Sequence, residues 1–327
     1  MNRLSDLKRM ILLLLAGILS ACSHDDLTET RPVGNGEPLV LTATMADATT
    51  GTRATPDNSW EGTETVIVEV IDNYDNYDDT TNPDWKLAKR GIYTAGTDGK
   101  LTFTSGEQSS WLSDDETKFV RAWHYGNNSE ERSDSWSVQT NQTGDNYAKS
   151  DLLFAQATVS GRQEIALKFY HQVAKVVVHV RNVGPVYGSD DVSVTIGYMN
   201  NIVINGTVST DNISENYLNW TPGSTRGYIT AYNLGPKPLA SDENETSLAS
   251  FAALVIPQTY NESLLPYLDI KNGLSSYPCY SSTEITWEAG HSYTYEVTIM
   301  EENRVMIDNI TVSDWGNGGN HELTTTE

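Results

Sequence analysis

Residues 39–315 form a succession of short β-prone runs broken by glycine, proline, asparagine and aspartate, with almost no 3.6-residue periodicity. Residues 66–71 (Val-Ile-Val-Glu-Val-Ile) are the clearest early run. Stretches 101–104, 119–123, 135–138, 165–169, 175–180, 192–196, 202–208 and 227–232 follow. Residues 252–256, 267–270, 293–299, 305–307 and 310–312 complete the set. Near the start, Leu39, Leu41, Ala43 and Met45 alternate with Val40, Thr42 and Thr44, a strand pattern that Val40 blurs. Only residues 260–265 look helical, for one or two turns. So many short strands predict an all-β chain of sandwich architecture. No internal repeat of fixed period is visible.

The first residues carry a different message. Arg3, Lys8 and Arg9 precede an apolar run over 10–19, which ends in Leu19-Ser20-Ala21-Cys22. A basic start, an apolar run and small residues at a cleavage point read as an export signal. The run is about ten residues long, against the roughly 20 needed to span a bilayer. A cysteine directly after Leu-Ser-Ala is the pattern of a bacterial lipoprotein signal, so Cys22 is expected to carry lipid and tether the chain. Residues 23–37 are polar and rich in breakers, as a tether would be. A second breaker-rich stretch over 48–59 contains Gly51-Thr52-Arg53-Ala54-Thr55-Pro56.

The chain has 21 Lys and Arg against 44 Asp and Glu, a net charge of −23 over 327 residues. Residues 1–21 hold three of those basic groups and one acidic group, so the exported part is more acidic still. That balance argues against nucleic acid and against anionic lipid surfaces, both of which select basic patches. Residues 22–327 are long for one core, so two domains are expected. The boundary falls near 159–164 with an error of about 20 residues.

No constellation of catalytic or metal-binding residues emerges. With Cys22 lipidated, Cys279 has no disulfide partner and is expected to be buried and inert. The six histidines show no His-Glu-x-x-His or paired Cys/His spacing, so no metal and no cofactor is expected. His171 and His179 read as structural residues on one face. No Gly-x-Ser-x-Gly elbow or phosphate loop occurs. Residues 72–79 have the oxygen density of a calcium loop but lack its central glycine and distal glutamate, and read as a solvated loop. Eight tryptophans and 17 tyrosines suit either a buried core or sugar stacking, with burial the plainer reading.

Three stretches together resemble the fimbrillin family of Bacteroidota, the FimA-type and Mfa-like pilus subunits. The first is the lipoprotein signal followed by a strand-like segment and Gly51-Thr52-Arg53-Ala54-Thr55. The second is Leu167-Lys168-Phe169-Tyr170-His171-Gln172-Val173-Ala174-Lys175, similar to the family's Phe-x-His…Ala-Lys strand. The third runs from Tyr293 to Ile299 and on through Ile310-Thr311-Val312-Ser313-Asp314-Trp315, like the family's closing strands. Trp60-Glu61-Gly62 and residues 147–153 also fit, so the resemblance spans essentially the whole chain.

The resemblance implies two transthyretin-like β-sandwich domains in tandem, at 54–163 and 164–327. Ahead of them stand a signal peptide (1–21) and a removable segment (22–53). It further implies a cell-surface fimbrial subunit that is not an enzyme and takes other fimbrial subunits as partners. Such proteins reach the outer membrane as lipoproteins, are cut by an arginine-specific protease, and assemble when a strand of the next subunit fills the opened groove. Carried onto this chain, the cut falls between Arg53 and Ala54 and releases Leu39, Leu41, Ala43 and Met45. The donor segment then comes from the C-terminal end, where Val305, Ile307, Ile310, Val312 and Trp315 are the candidates, or from beyond it. Alternatives are an anchor or tip subunit that keeps its N-terminal segment, or a surface-anchored lipoprotein that binds glycans.

Overall fold

The computed structural model describes residues 36–46, 60–72, 85, 88–182, 191–211, 213, 216–239, 241–300, 304–315 and 320–322. Cys22, Arg53, Ala54, residues 73–79 of the carboxylate-rich stretch and residues 316–319 lie outside them. Glu37–Glu327 pack as one unit. The described residues are almost wholly β, with two 3-10 turns at Gly144–Asn146 and Ala148–Ser150. Among the described residues no helix is long and apolar enough to cross a membrane.

Residues 41–171 supply seven main strands: β1 (Leu41–Met45), β2 (Glu64–Asp72), β3 (Lys89–Ala95), β4 (Lys100–Gly106), β5 (Thr117–Tyr125), β6 (Leu152–Ser160) and β7 (Ile165–His171). They hydrogen-bond in the order β7-β1-β4-β3-β2-β5-β6, and β6 meets β7 again, closing the sheet on itself. The closure is thin, with only Tyr170↔Phe154 and His171↔Leu153 in register. Inside lie Val66, Val68 and Val70 of β2, with Val120, Ala122, Ile165, Leu167 and Phe169. The opposite face of β2 sends Ile67, beside Trp123 of β5, into a second and larger cluster. Burial on both faces is why β2 reads as an almost unbroken apolar run instead of alternating. At its end Asp72 meets Lys118, a fully buried side chain, at 2.6 Å, and Lys89 at 3.1 Å.

The sheet changes between His171 and Ala174. Beyond it come β8 (Ala174–Asn182), β9 (Val192–Ile196), β10 (Ile229–Thr230), β11 (Tyr232–Gly235), β12 (Ala249–Val255), β13 (Leu268–Asn272), β14 (Ser275–Cys279), β15 (His291–Met300), β16 (Arg304–Asp314) and β17 (Asn320–Glu322). One sheet has the order β11-β12-β8-β15-β16-β17 and another β10-β9-β13-β14. Val176, Val178 and Val297 from the first share a core with Val194, Ile196 and Ile270 from the second, so the two pack face to face.

Two local expectations differ from what forms. Around residues 260–265 there is no helix: Gln258–Tyr260 pairs with Ile285–Trp287, and a turn follows. Pro266 disfavours a helical Leu265, and the Tyr260 hydroxyl donates to the Leu265 carbonyl at 2.6 Å instead. Residues 305–307 and 310–312 are one strand, β16, with Asp308 as an extra residue between Asn309↔Glu296 and Ile307↔Val297. That bulge keeps Val305, Ile307, Ile310 and Val312 in one row, opposite Ile299, Val297, Tyr295 and Tyr293.

Candidate functional site

The first strand is the unusual member of the closed sheet. β1 runs parallel to β7, with Leu41↔Ile165 through Met45↔Phe169 in register. On its other side it is antiparallel to β4, with only Leu41↔Leu101 and Thr42↔Lys100 paired. Leu39, Leu41, Ala43 and Met45 face the interior and are buried, while Thr44 is exposed and Thr42 donates to Glu164 at 3.0 Å. Val40 lies just outside the strand with its side chain in solvent, so the underlying alternation is intact.

Further main-chain bonds fix the strand's position. The Ala43 amide donates to the Gly99 carbonyl at 2.7 Å, Ala46 to Phe169 at 2.8 Å, and Ile165 to Val40 at 2.9 Å. Gly99 is the turn residue of the β3–β4 hairpin and has φ +80°, a conformation that glycine adopts without strain. Farther along the chain, the Trp60 indole Nε1 donates to the Ala43 carbonyl at 3.1 Å. Trp60 is itself buried, edge-on to Phe169 at 5.4 Å and to His124 at 5.7 Å.

The energetics of this seat are large for so short a segment. Burying Leu39, Leu41 and Met45 contributes about 1.5–3 kcal/mol for each side chain. Together that is comparable to the roughly 5–15 kcal/mol by which a whole domain is stable. Taking β1 away would leave an apolar trough between β7 and β4 and two rows of unpaired main-chain groups. An extended segment with apolar residues at alternate positions would fill both deficits.

The C-terminal candidates are placed differently. Val305, Ile307, Ile310 and Val312 are half-buried in β16, which pairs with β15 along its length and with β17 over Thr311–Ser313. Trp315 is buried, its ring stacked on His171 at 3.7 Å with Lys175 above it at 5.4 Å. His171 Nδ1 in turn meets Asp151 at 3.0 Å. The Phe-x-His spacing thus has a local reason: Phe169 backs Trp60 under β1, and His171 carries the end of β16. The structure therefore does not bring the two candidate groups together. Leu39 to Met45 line the closed sheet, and Val305 to Val312 lie on the six-stranded one.

The remaining candidates are packed within the fold. His179 and His171 occupy strands of different sheets, and His179 Nδ1 lies 2.7 Å from the Ser250 hydroxyl. Cys279 is buried, and burial pushes its thiol up to about 12. Among the described residues no cluster of His, Cys, Asp and Glu could hold a metal ion. None of the eight tryptophans is exposed: Trp85 and Trp220 are half-buried and the rest buried. Sequence reasoning had no signal for Gly99 as a hydrogen-bond partner of the first strand. Trp60 stands out in the sequence only as part of Trp60-Glu61-Gly62.

No curated protein matches the sequence. Two of the crystal structures that resemble the chain illustrate the shared fold. One is a Bacteroides uniformis ATCC 8492 protein proposed to act in cell adhesion, 19% identical, with a TM-score of 0.57 over 85% of this chain and 98% of that one. The other, from Bacteroides ovatus ATCC 8483 and described in the same terms, is 17% identical, with a TM-score of 0.57 over 89% and 99%. A family model described as fimbrillin-like matches residues 52–315, from just before the expected cut to the tryptophan that follows β16. The chain belongs to the fimbrillin-like family.

Proposed function

We propose that the protein is a structural subunit of a cell-surface fimbria. In this reading it is exported as a lipoprotein on Cys22, cut after Arg53 by an arginine-specific protease, and polymerised by donor-strand exchange with other fimbrial subunits to support adhesion. The observation that carries the reading is the seat of β1: a five-residue strand with a buried apolar row, wedged between β7 and β4. Arg53 lies in the connection between β1 and Trp60, so a cut there separates the strand from everything it packs against. The donor is the C-terminal end. β16 carries the alternate apolar residues that the trough calls for, whereas residues 316–327 hold only Leu323, so donation means peeling β16 from β15 and Trp315 from His171. Two tandem transthyretin-like domains are part of the same reading, divided near the change of sheet after His171.

Mass spectrometry of the protein recovered from its native cell surface is the direct test. An N-terminus at Ala54 without lipid supports processing and exchange. A lipidated Cys22 on the assembled protein argues instead for an anchor that keeps its first strand. Independently, the 54–327 form should bind a peptide of the donor segment or build ladders that survive mild detergent. Correctly folded protein that does neither would sink the exchange reading.

A further inference from the structure

Away from β1, the outer face of the closed sheet carries a recess whose chemistry the fimbrial reading does not use. Strand register sets Arg90 of β3, Glu69 of β2 and Arg121 of β5 side by side. With Trp85, Arg132 and Thr210 they line a cavity of about 410 Å³, within the usual size range of small-molecule sites. Glu69 is 4% exposed and is engaged by Arg90 through Nε at 3.0 Å and Nη2 at 2.6 Å. Arg132 reaches outward to Asp134 at 3.0 Å and lies over Trp123 at 4.9 Å. Arg121 stacks on Trp85 at 4.0 Å, and the one hydrogen bond of its side chain among the described residues goes to the Thr210 carbonyl at 3.5 Å.

Two independent features point to a ligand, and to its sign. First, among the described residues three N–H groups of this lining are buried without an acceptor: Arg121 Nε, Arg132 Nε and Trp85 Nε1. The orphans are all donors, so what satisfies them is an acceptor. Second, the recess gathers three guanidinium groups around one buried carboxylate that Arg90 already engages. Burial, and then the charge of Arg132, pull Arg121 down to about 10, while Glu69 and the exposed Asp211 act the other way. Arg121 therefore stays charged at neutral pH, in surroundings that would favour an added negative charge. Such a basic recess is conspicuous in a chain of net charge −23. Charge is the handle here, not ring stacking, because Arg121 already covers one face of Trp85.

We propose that this recess binds an oxyanion group, a carboxylate or sulfate, carried either by an acidic sugar or by a free inorganic anion. Arg121 and Arg132 supply the fork-shaped donors that match such a group, and Trp85 Nε1 adds a third. The proposal is independent of strand exchange, since none of its residues touches β1.

Calorimetric titration of the purified protein at constant ionic strength tests it, with sodium sulfate, sodium galacturonate and galactose as probes. Saturable one-to-one binding of the two anions, with none of galactose, is the expected result. Added chloride should weaken it. Arg132→Gln and Arg121→Gln should each lower the affinity by about tenfold or more, as loss of a charge-assisted bidentate partner does. Arg132 lies outside the strands, so its variant should melt as the parent does and keeps the test valid if the Arg121 variant folds poorly. Galacturonate binding tighter than sulfate assigns the site to an acidic sugar. Sulfate binding as tightly or more so supports the oxyanion site and assigns it to a free inorganic anion. No saturable heat from either anion, or undiminished binding in the folded Arg132→Gln protein, overturns the proposal.

Discussion

The indole of Trp60 acts on the first strand in two ways, donating to the Ala43 carbonyl and packing its ring against Phe169. Trp60→Phe removes the bond and leaves some empty volume, so it should cost about 1–3 kcal/mol, read as a lowered midpoint in urea with little change in slope. His124, edge-on to the same indole, gives a pH signature. Burial holds its pKa below 6.5, against a smaller upward pull from the Thr65 carbonyl, and burial also lowers His179. In the unfolded chain both titrate near 6.5, so as pH falls below that value the unfolded state gains protons that the folded state does not. Stability should therefore drop on acidification below pH 6.5, by at most about 1.4 kcal/mol per pH unit for each histidine. Melting temperatures across this window in His124→Asn should slope less steeply than in the parent. The histidines show the limit of reading residues from sequence: their structural role was legible, but not that His171 would lie under Trp315, because nothing local links them.

Among elements, β1 stands apart in how it is held. It has a full parallel partner on one side and two paired positions on the other, whereas β8 is paired along its length by β12 and β15. Hydrogen exchange followed by mass spectrometry should find the amides of residues 41–45 opening before those of 174–180, at a free energy below global unfolding. Equal protection of the two segments would mean that β1 is no more separable than the rest of the core. Strands with clean alternation, such as β7 and β9, were legible from their pattern. β3 was not, because it opens on Lys89-Arg90-Gly91 with only Ile92 and Tyr93 as strong strand formers after them, and neither was β14, which contains Pro278. The seat of β1 lay beyond any local reading, since its parallel partner is more than 120 residues away in the chain. The same holds for the arginine recess. Arg90, Arg121 and Arg132 look unremarkable in sequence, and only strand register and a returning loop gather them.

At the scale of the molecule, two buried clusters divide the work, one inside the closed sheet and one that the two later sheets share with that sheet's outer face. The all-β class and a strand-like start were plain from composition and pattern, whereas closure of the first sheet was not. All eight tryptophans are at least half-buried, and Trp60 stands directly against the strand proposed to leave. Intrinsic emission from the native protein should therefore lie toward the blue, as for indoles shielded from water. Departure of β1 would wet Trp60 while leaving Trp287, at the centre of the other cluster, dry. A partial red shift that reverses when a replacement segment docks would then follow the strand in real time, and Trp60→Phe should reduce that signal to the share of Trp111, which pairs with Glu37 just ahead of the strand. The molecule thus carries its own optical gauge of whether the seat is full.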